Sequence, residues 1–272
     1  MHTVERPDGV EIRWEEQGSG PLVLIVHQIL WSYPGVYADL IGNLAREHRV
    51  VTYDARGCGA STRVGPYDAE TDAGDLLAVT EAAGGEAVAI AVGYGFNLAV
   101  RVAAARPDAI SDVLCLQPAA AAMLPRSELK GTDVMAASDS VAEMLLRMMS
   151  TDPRAAIRTL LSAANPELGE EDLRQRVAHA WEYISHDSTL PRTRAWMDDD
   201  TSAQARALGG RLRILHGGRE PMYEGALASH VAKLYPEAHV EELAGGPISR
   251  PELIAEWVRR VSEHEKRREP GA

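Results

Sequence analysis

The chain contains 272 residues, 45% hydrophobic and 25% charged, which is enough for one globular domain with a substantial core. Its formal net charge of −12 disfavours contact with nucleic-acid phosphates or anionic lipid, so we expect neither partner. The two cysteines, Cys58 and Cys115, lie far apart and lack metal-ligand spacing, which favours a reducing compartment. Residues 1–9 lack the apolar centre of a secretory signal, and the longest apolar runs are too short to span a bilayer. The sequence therefore predicts a cytoplasmic protein.

Short β-branched runs alternate with longer amphipathic stretches, a pattern typical of a parallel sheet with crossover helices. The chain opens with a predicted hairpin whose turn is Pro7–Asp8–Gly9. Buried strands are predicted at Leu22–Val26, Arg49–Tyr53, Ala87–Val92, Val113–Leu116, Leu212–Leu215 and Val240–Leu243. Helices are predicted at Tyr37–Glu47, Glu70–Ala83, Phe96–Arg106, Gly225–Tyr235 and Pro251–Glu265. The predicted fold class is α/β.

One interval interrupts this alternation. Between Leu116 and Leu212 the pattern turns helical and polar, without a convincing strand. Apolar stripes at helical spacing occur in Ser140–Ser150, Asp152–Ala164 and Glu170–Ile184. We therefore predict a core formed by residues 1–118 and 206–272, and an inserted helical cap formed by residues 119–205 above the strand ends.

Several motifs resemble the α/β-hydrolase fold, and the resemblance extends over nearly the whole chain. Residues 54–61 match the D-x-R-G-x-G-x-S loop of that family, which is the most specific signal present. Residues 22–27 are similar to the strand and histidine that lead into the oxyanion hole, and residues 90–97 occupy the place of the nucleophile elbow. Residues 214–221 and 242–247 resemble the loops that carry the catalytic acid and histidine.

The resemblance implies a catalytic triad whose positions are largely altered here. It places the nucleophile at Gly95, where glycine would supply the positive φ of the turn, and the acid at Glu220. The histidine position falls on Pro247, which can neither accept nor donate a proton through its side chain. Hydrolysis by a serine triad is therefore not expected.

Other nucleophiles are weaker candidates. Cys58 and Ser61 lie in the D-x-R-G-x-G-x-S loop, where structural roles are the simpler interpretation, and Ser32 and Ser249 lie in loops. None of the four has a base at a motif position. A residual esterase acting through Ser32 or Cys58 is the least favoured hypothesis.

Polar and aromatic residues converge at the carboxyl ends of the predicted strands, where open α/β sheets bind ligands. The predicted catalytic residues are His27, His216 and Tyr94, although a structural role for each histidine and packing of Tyr94 beneath the turn are open alternatives. The amides of Phe96 and Ile29 are candidates for stabilising negative charge. The predicted substrate-binding residues are Gln28, Ile29, Trp31, Gly95, Phe96, Gln117, Glu220 and Trp181.

No metal or cofactor is predicted. The acidic run Asp198–Asp200 is interpreted as a solvated loop or helix end. His179 and His186 are seven residues apart and would share a helix face, but no carboxylate completes a metal site.

Two classes of function follow. The first is a protein that binds a small, partly apolar molecule between cap and sheet and converts it by cofactor-free chemistry such as isomerisation, cyclisation or elimination. The second is a catalytically inactive relative that senses a ligand or binds another protein. The sequence leaves the ligand, the reaction and the oligomeric state open.

Overall fold

The structure, a computed structural model, describes residues 1–27, 29–30, 32–116, 123, 125–164, 168–217, 231–243 and 251–268. In this part of the chain, eight strands form one sheet in the order β1-β2-β4-β3-β5-β6-β7-β8. The strands are β1 His2–Glu5, β2 Glu11–Gly18, β3 Leu22–Val26, β4 Arg49–Tyr53, β5 Ala87–Val92, β6 Ile110–Leu116, β7 Leu212–Gly217 and β8 His239–Leu243. β1 and β2 pair antiparallel, β2 pairs antiparallel with β4, and the others are parallel. The α/β prediction is confirmed.

Helices pack on both faces of the sheet. They are α1 Ala38–Leu44, α2 Ala69–Ala82, α3 Tyr94–Ala105, α4 Asp133–Thr151, α5 Pro153–Ala164, α6 Glu170–Tyr183, α7 Thr189–Asp198, α8 Ser202–Leu208 and α9 Pro251–Arg268. The sequence pattern missed α7 and α8. Most of the helix predicted at Gly225–Tyr235 lies outside the described residues. The part of it that the structure describes is helical at residues 231–234.

The alternation of side chains along the central strands divides the core into two layers. Val23 and Ile25 of β3 pack with α1 and α9, whereas Leu22, Leu24 and Val26 belong to the layer that contains α2 and α3. In β5 the second layer receives only alanines, at positions 87, 89 and 91. Small side chains there let α3 lie close to the strand that precedes it.

The four helices α4–α7 pack mainly on one another. α5 contacts α4 and α6, while α7 contacts both α4 and the core helix α2. Helix α8 packs against α3. The domain boundary predicted between residues 205 and 206 falls inside this helix. None of the described helices combines the length and apolar character needed to cross a bilayer.

Candidate functional site

The strand-to-helix turn after β5 consists of one residue, Gly93. β5 ends at Val92 and α3 begins at Tyr94, and Gly93 between them has φ 55° and ψ −121°. A nucleophile elbow places its nucleophile on such a sharp, strained turn. The elbow position is therefore Gly93, and the prediction of Gly95 was wrong by two residues. Position 93, like position 95, carries no side chain.

Gly95 has a different physical role. It lies in the first turn of α3 and is not among the residues with positive φ. A Cβ at this position would overlap the carbonyl oxygen of Val26 and lie 2.8 Å from its carbonyl carbon. Glycine is required here because α3 crosses the end of β3 at close range.

Two predicted functions of the elbow helix are contradicted. The Phe96 amide donates to the Gly93 carbonyl at 3.0 Å, so it does not point at a ligand. The Tyr94 side chain is fully buried, and its hydroxyl lies 3.5 Å from Asp72 Oδ2. Burial raises the pKa of Tyr94, with Asp72 adding to the rise. The Tyr94 side chain packs beneath the turn. The first backbone amide after the elbow residue Gly93 is that of Tyr94, and at the start of α3 this amide has no acceptor within the helix.

His27 has a structural position. It is 1% exposed, and its Nε2 donates to the Tyr53 carbonyl at 3.2 Å, which leaves Nδ1 as an acceptor facing the Ser32 hydroxyl at 3.4 Å. Ser32 is itself buried, and its hydroxyl also lies 3.3 Å from that of Tyr37. These contacts fix the loop after β3. They favour the structural role for His27 that the sequence left open beside the catalytic one, and they give Ser32 a structural role as well.

Tyr183 joins this cluster from the last turn of α6, a contact that the sequence analysis missed. Its hydroxyl donates to Asp54 Oδ1 at 2.8 Å and lies 3.4 Å from His27 Nε2. Burial raises the pKa of Tyr183 well above its usual range, and the neighbouring Cys58 and Asp54 add to the effect. The phenol therefore stays protonated and donates to Asp54. Tyr183 and Asp54 are 129 positions apart in the chain, so no local sequence pattern indicates that they pair.

Backbone hydrogen bonds attach the end of α6 to the 54–61 loop. Gly59 N donates to the Tyr183 carbonyl at 2.8 Å, and Ser185 N donates to the Gly57 carbonyl at 2.6 Å. The Arg63 guanidinium reaches the carbonyls of residues 182, 183 and 184, which lie at the carboxyl end of α6 where a cation is stabilising. These contacts attach the carboxyl end of α6 to the loop that follows β4.

A buried ion pair holds α7 on the core. Arg192 donates to both oxygens of Asp72, at 2.7 and 2.9 Å, and to the Arg56 carbonyl at 2.6 Å. Both charged side chains are 1% exposed. Burial opposes the charge on Arg192, but the Asp72 carboxylate outweighs it and raises the pKa of Arg192 overall. The pair links α7 to α2, the helix that packs beside α3.

The acidic run lies at a helix end, as one of its two interpretations predicted, because α7 ends at Asp198, but Asp199 is not solvated. Asp199 pairs with Arg101 and accepts from Asn97 Nδ2 at 3.2 Å, and its side chain is only 8% exposed. Asp200 accepts from Ser202 N at 3.0 Å, at the start of α8. Asp199 is therefore a buried link from the cap to the elbow helix, because two polar residues of α3 face the chain where it leaves α7.

The remaining predicted residues divide into those that the structure describes and those that lie outside the described part of the chain. His216 lies on β7 opposite Glu242 of β8 and is half-buried, so it is the one predicted catalytic residue with an exposed part. Ile29 is buried. Trp181 stacks on His186 at 3.7 Å, and His186 follows the end of α6 and does not share a helix face with His179. The residues that lie outside the described part of the chain are Gln28, Trp31, Gln117, Glu220, Pro247 and Ser249.

Ser61 and Cys58 have the structural roles that the sequence analysis favoured. The Ser61 hydroxyl donates to the Asp54 carbonyl at 2.6 Å and accepts from Arg13 N at 2.8 Å. Cys58 is fully buried, and burial raises the pKa of its thiol to about 12. Among the described residues, no group of three or more His, Cys, Asp or Glu is arranged to hold a metal ion.

We expect the folded protein to resist thiol alkylation. A thiol with a pKa about 4 units above the working pH is thiolate in roughly one molecule in 10⁴. Because Cys115 is buried as well as Cys58, iodoacetamide at pH 8 should add no mass to the native protein. After unfolding in urea both cysteines should react, which gives two adducts. A fast single adduct on the folded protein would show a reactive thiol and contradict this assignment.

The fold and sequence together define the class of protein. The chain belongs to the α/β-hydrolase fold family, whose sequence profile matches residues 21–217. An α/β hydrolase from Sphaerobacter thermophilus is 25% identical, with a TM-score of 0.67 over 94% of this chain and 100% of that one. An esterase from Exiguobacterium antarcticum superimposes with a TM-score of 0.79 over 96% of this chain and 98% of that one, but at 17% identity this shows the fold alone.

One curated relative is a much larger protein, and the chain aligns with a small part of it. Over 256 residues the chain is 26% identical to the polyketide synthase ThaQ of Burkholderia thailandensis. The aligned region covers 89% of this chain but 12% of the synthase.

Proposed function

We propose that this chain is a non-hydrolytic member of the α/β-hydrolase fold family that binds a small, partly apolar molecule between cap and sheet. The observation that carries the proposal is the glycine at position 93, on the turn where a hydrolase presents its nucleophile. Proline at position 247, where the family motif has histidine, removes the general base as well. Without both groups, acyl transfer at the elbow has no route.

The ligand is proposed to be polyketide-like, a carbon chain with spaced oxygen atoms. The relation to the ThaQ synthase supports this class, and so does a group of aromatic rings that contact one another next to the loop after β3. Half-buried Tyr33 lies against His179 and Tyr183, with ring centroids 5.7 and 6.2 Å apart, at the junction of the cap and the loop after β3. Aromatic walls with a few polar groups suit a partly apolar molecule.

A second candidate function is cofactor-free acid–base chemistry on the bound molecule. It is favoured by the half-buried position of His216 on β7, because the two nitrogens of an imidazole can donate and accept a proton at a substrate. This candidate no longer includes His27 or Tyr94, because both side chains are buried and hydrogen-bonded.

Two readouts on gently purified protein test the proposal. p-Nitrophenyl butyrate should be hydrolysed no faster with the folded protein than with a heat-denatured sample. Native mass spectrometry should reveal a small molecule that leaves on denaturation with its mass unchanged. Ester turnover above the control rate would overturn the non-hydrolytic assignment. If acid–base chemistry operates, His216→Asn should co-purify with a different molecule, the unconverted substrate, which added wild type converts to the molecule that is bound to the wild-type protein.

A further inference from the structure

A network of charged side chains, called here the charge network, connects the N-terminal hairpin to the cap. The turn between β1 and β2 supplies two of its members, and the loop after β4, helix α2 and helix α7 supply the others. Three arginines and three aspartates take part, so their formal charges cancel: Arg6, Arg56, Arg192, Asp8, Asp72 and Asp75. Segments far apart in the sequence are thus joined without leaving a net charge in the interior.

Arg56 lies at the centre of the charge network. Its guanidinium donates to Asp75 through Nε at 2.9 Å and through Nη2 at 3.1 Å, and Nη1 donates to Asp8 Oδ2 at 2.6 Å. The backbone carbonyl of the same residue accepts from Arg192 Nη2 at 2.6 Å. Arg56 therefore contacts the hairpin through its side chain and the cap through its backbone.

Helix α2 carries the two buried carboxylates of the charge network. Asp72 and Asp75 are three residues apart, which places them on the same side of the helix. Asp72 binds Arg192 of the cap, whereas Asp75 binds Arg56 and also accepts from Arg6 Nε of the hairpin at 2.8 Å. Because both carboxylates are at most 2% exposed, water screens their interactions weakly, and a change at one pair affects the other.

We propose that Arg56 is a positioning residue through which the N-terminal hairpin determines how firmly α7 is held on the core. The hairpin end of the charge network reaches the surface, because the Asp8 side chain is 45% exposed, whereas the Arg56 side chain is 2% exposed. Removing the Asp8 carboxylate leaves Nη1 of a buried guanidinium without its acceptor. Arg56 is then held by Asp75 alone, and the contact of its carbonyl with Arg192 weakens. This inference is independent of which ligand the protein binds.

Hydrogen exchange followed by mass spectrometry tests the proposal on Asp8→Ala. The backbone amides of α7 are expected to exchange about fivefold faster than in wild type. Helix α5, which packs on α4 and α6, should keep its wild-type rate. Wild-type exchange in α7, or an equal acceleration in α5 and α7, would overturn the proposal, because the second result reflects global stability.

The matched control is Glu11→Ala. Glu11 belongs to the same hairpin and pairs with Arg13, but those side chains are 52% and 36% exposed and Arg13 is not part of the charge network. Both substitutions remove one negative charge that faces an arginine. The control should leave exchange in α7 at the wild-type rate, and an acceleration there equal to that of Asp8→Ala would contradict a role for Arg56.

Additivity gives a second, independent readout. Arg192→Met is introduced into wild type, Asp8→Ala and Glu11→Ala, and the folding equilibrium constant of each protein is measured by urea unfolding. Distant residues that share no partner have additive effects, whereas members of one network do not. We expect Arg192→Met to lower the constant by a factor at least about threefold smaller in Asp8→Ala than in wild type or Glu11→Ala. The same factor in all three backgrounds would overturn the proposal.

Discussion

Gly95→Ser is expected to destabilise the fold far more than Gly93→Ser. The same side chain is added two residues apart, but at position 95 its Cβ overlaps the Val26 carbonyl, and backbone atoms of β3 cannot move aside. We expect a loss above about 4 kcal/mol in the free energy of unfolding, the range reserved for severe steric conflict. At position 93 the added side chain incurs the strain of a positive φ, about 1–3 kcal/mol.

Urea unfolding of the two variants beside wild type measures this difference. The comparison also tests where the elbow lies, because only the true elbow position tolerates a serine side chain. Equal losses in the free energy of unfolding, or a larger loss for Gly93→Ser, would contradict the assignment of the elbow to residue 93 and favour residue 95.

Arg192→Met is expected to cost about 3–5 kcal/mol, because it leaves Asp72 buried without its ionic partner. The matched control is Arg174→Met. Arg174 also belongs to a cap helix and pairs with Glu171, but those side chains are 66% and 63% exposed. Exposed pairs contribute at most about 1 kcal/mol, so the control should stay near wild type.

A double variant identifies the cause of the loss. Asp72→Asn combined with Arg192→Met removes the uncompensated charge, so it should be more stable than the sum of the single losses predicts. Similar unfolding free energies for Arg192→Met and Arg174→Met would show that the buried pair does not hold α7 on the core.

The central strands could be predicted closely. The predicted bounds of β3, β4 and β5 agree with the structure, because parallel strands buried on both faces are short, continuous apolar runs between polar turns. Strand β6 begins earlier than predicted, at Ile110, because polar Ser111 and Asp112 interrupt the apolar run. Helix α7 was missed because its buried side includes Thr189, Arg192 and Thr193. Hydrophobic periodicity does not detect a helix that buries polar groups.

The candidate site was harder to predict for two physical reasons. Gly93 and Gly95 both suit the elbow motif by composition, and only backbone angles distinguish the strained turn from the close helix contact. The cap contacts of Tyr183, Arg192 and Asp199 join residues far apart in the chain, and each depends on how the cap sits on the core. Motifs assign residues to loops but give no information on such pairings.

The central proposal is that this member of the α/β-hydrolase fold family has no activated serine, because Gly93 occupies the turn where a hydrolase presents its nucleophile. The most direct measurement is the intact mass of the protein after incubation with a fluorophosphonate, which bonds covalently to an activated serine. The wild type is predicted to remain unmodified, and Gly93→Ser combined with Pro247→His to gain one adduct that maps to residue 93. A stoichiometric adduct on the wild type would contradict the account.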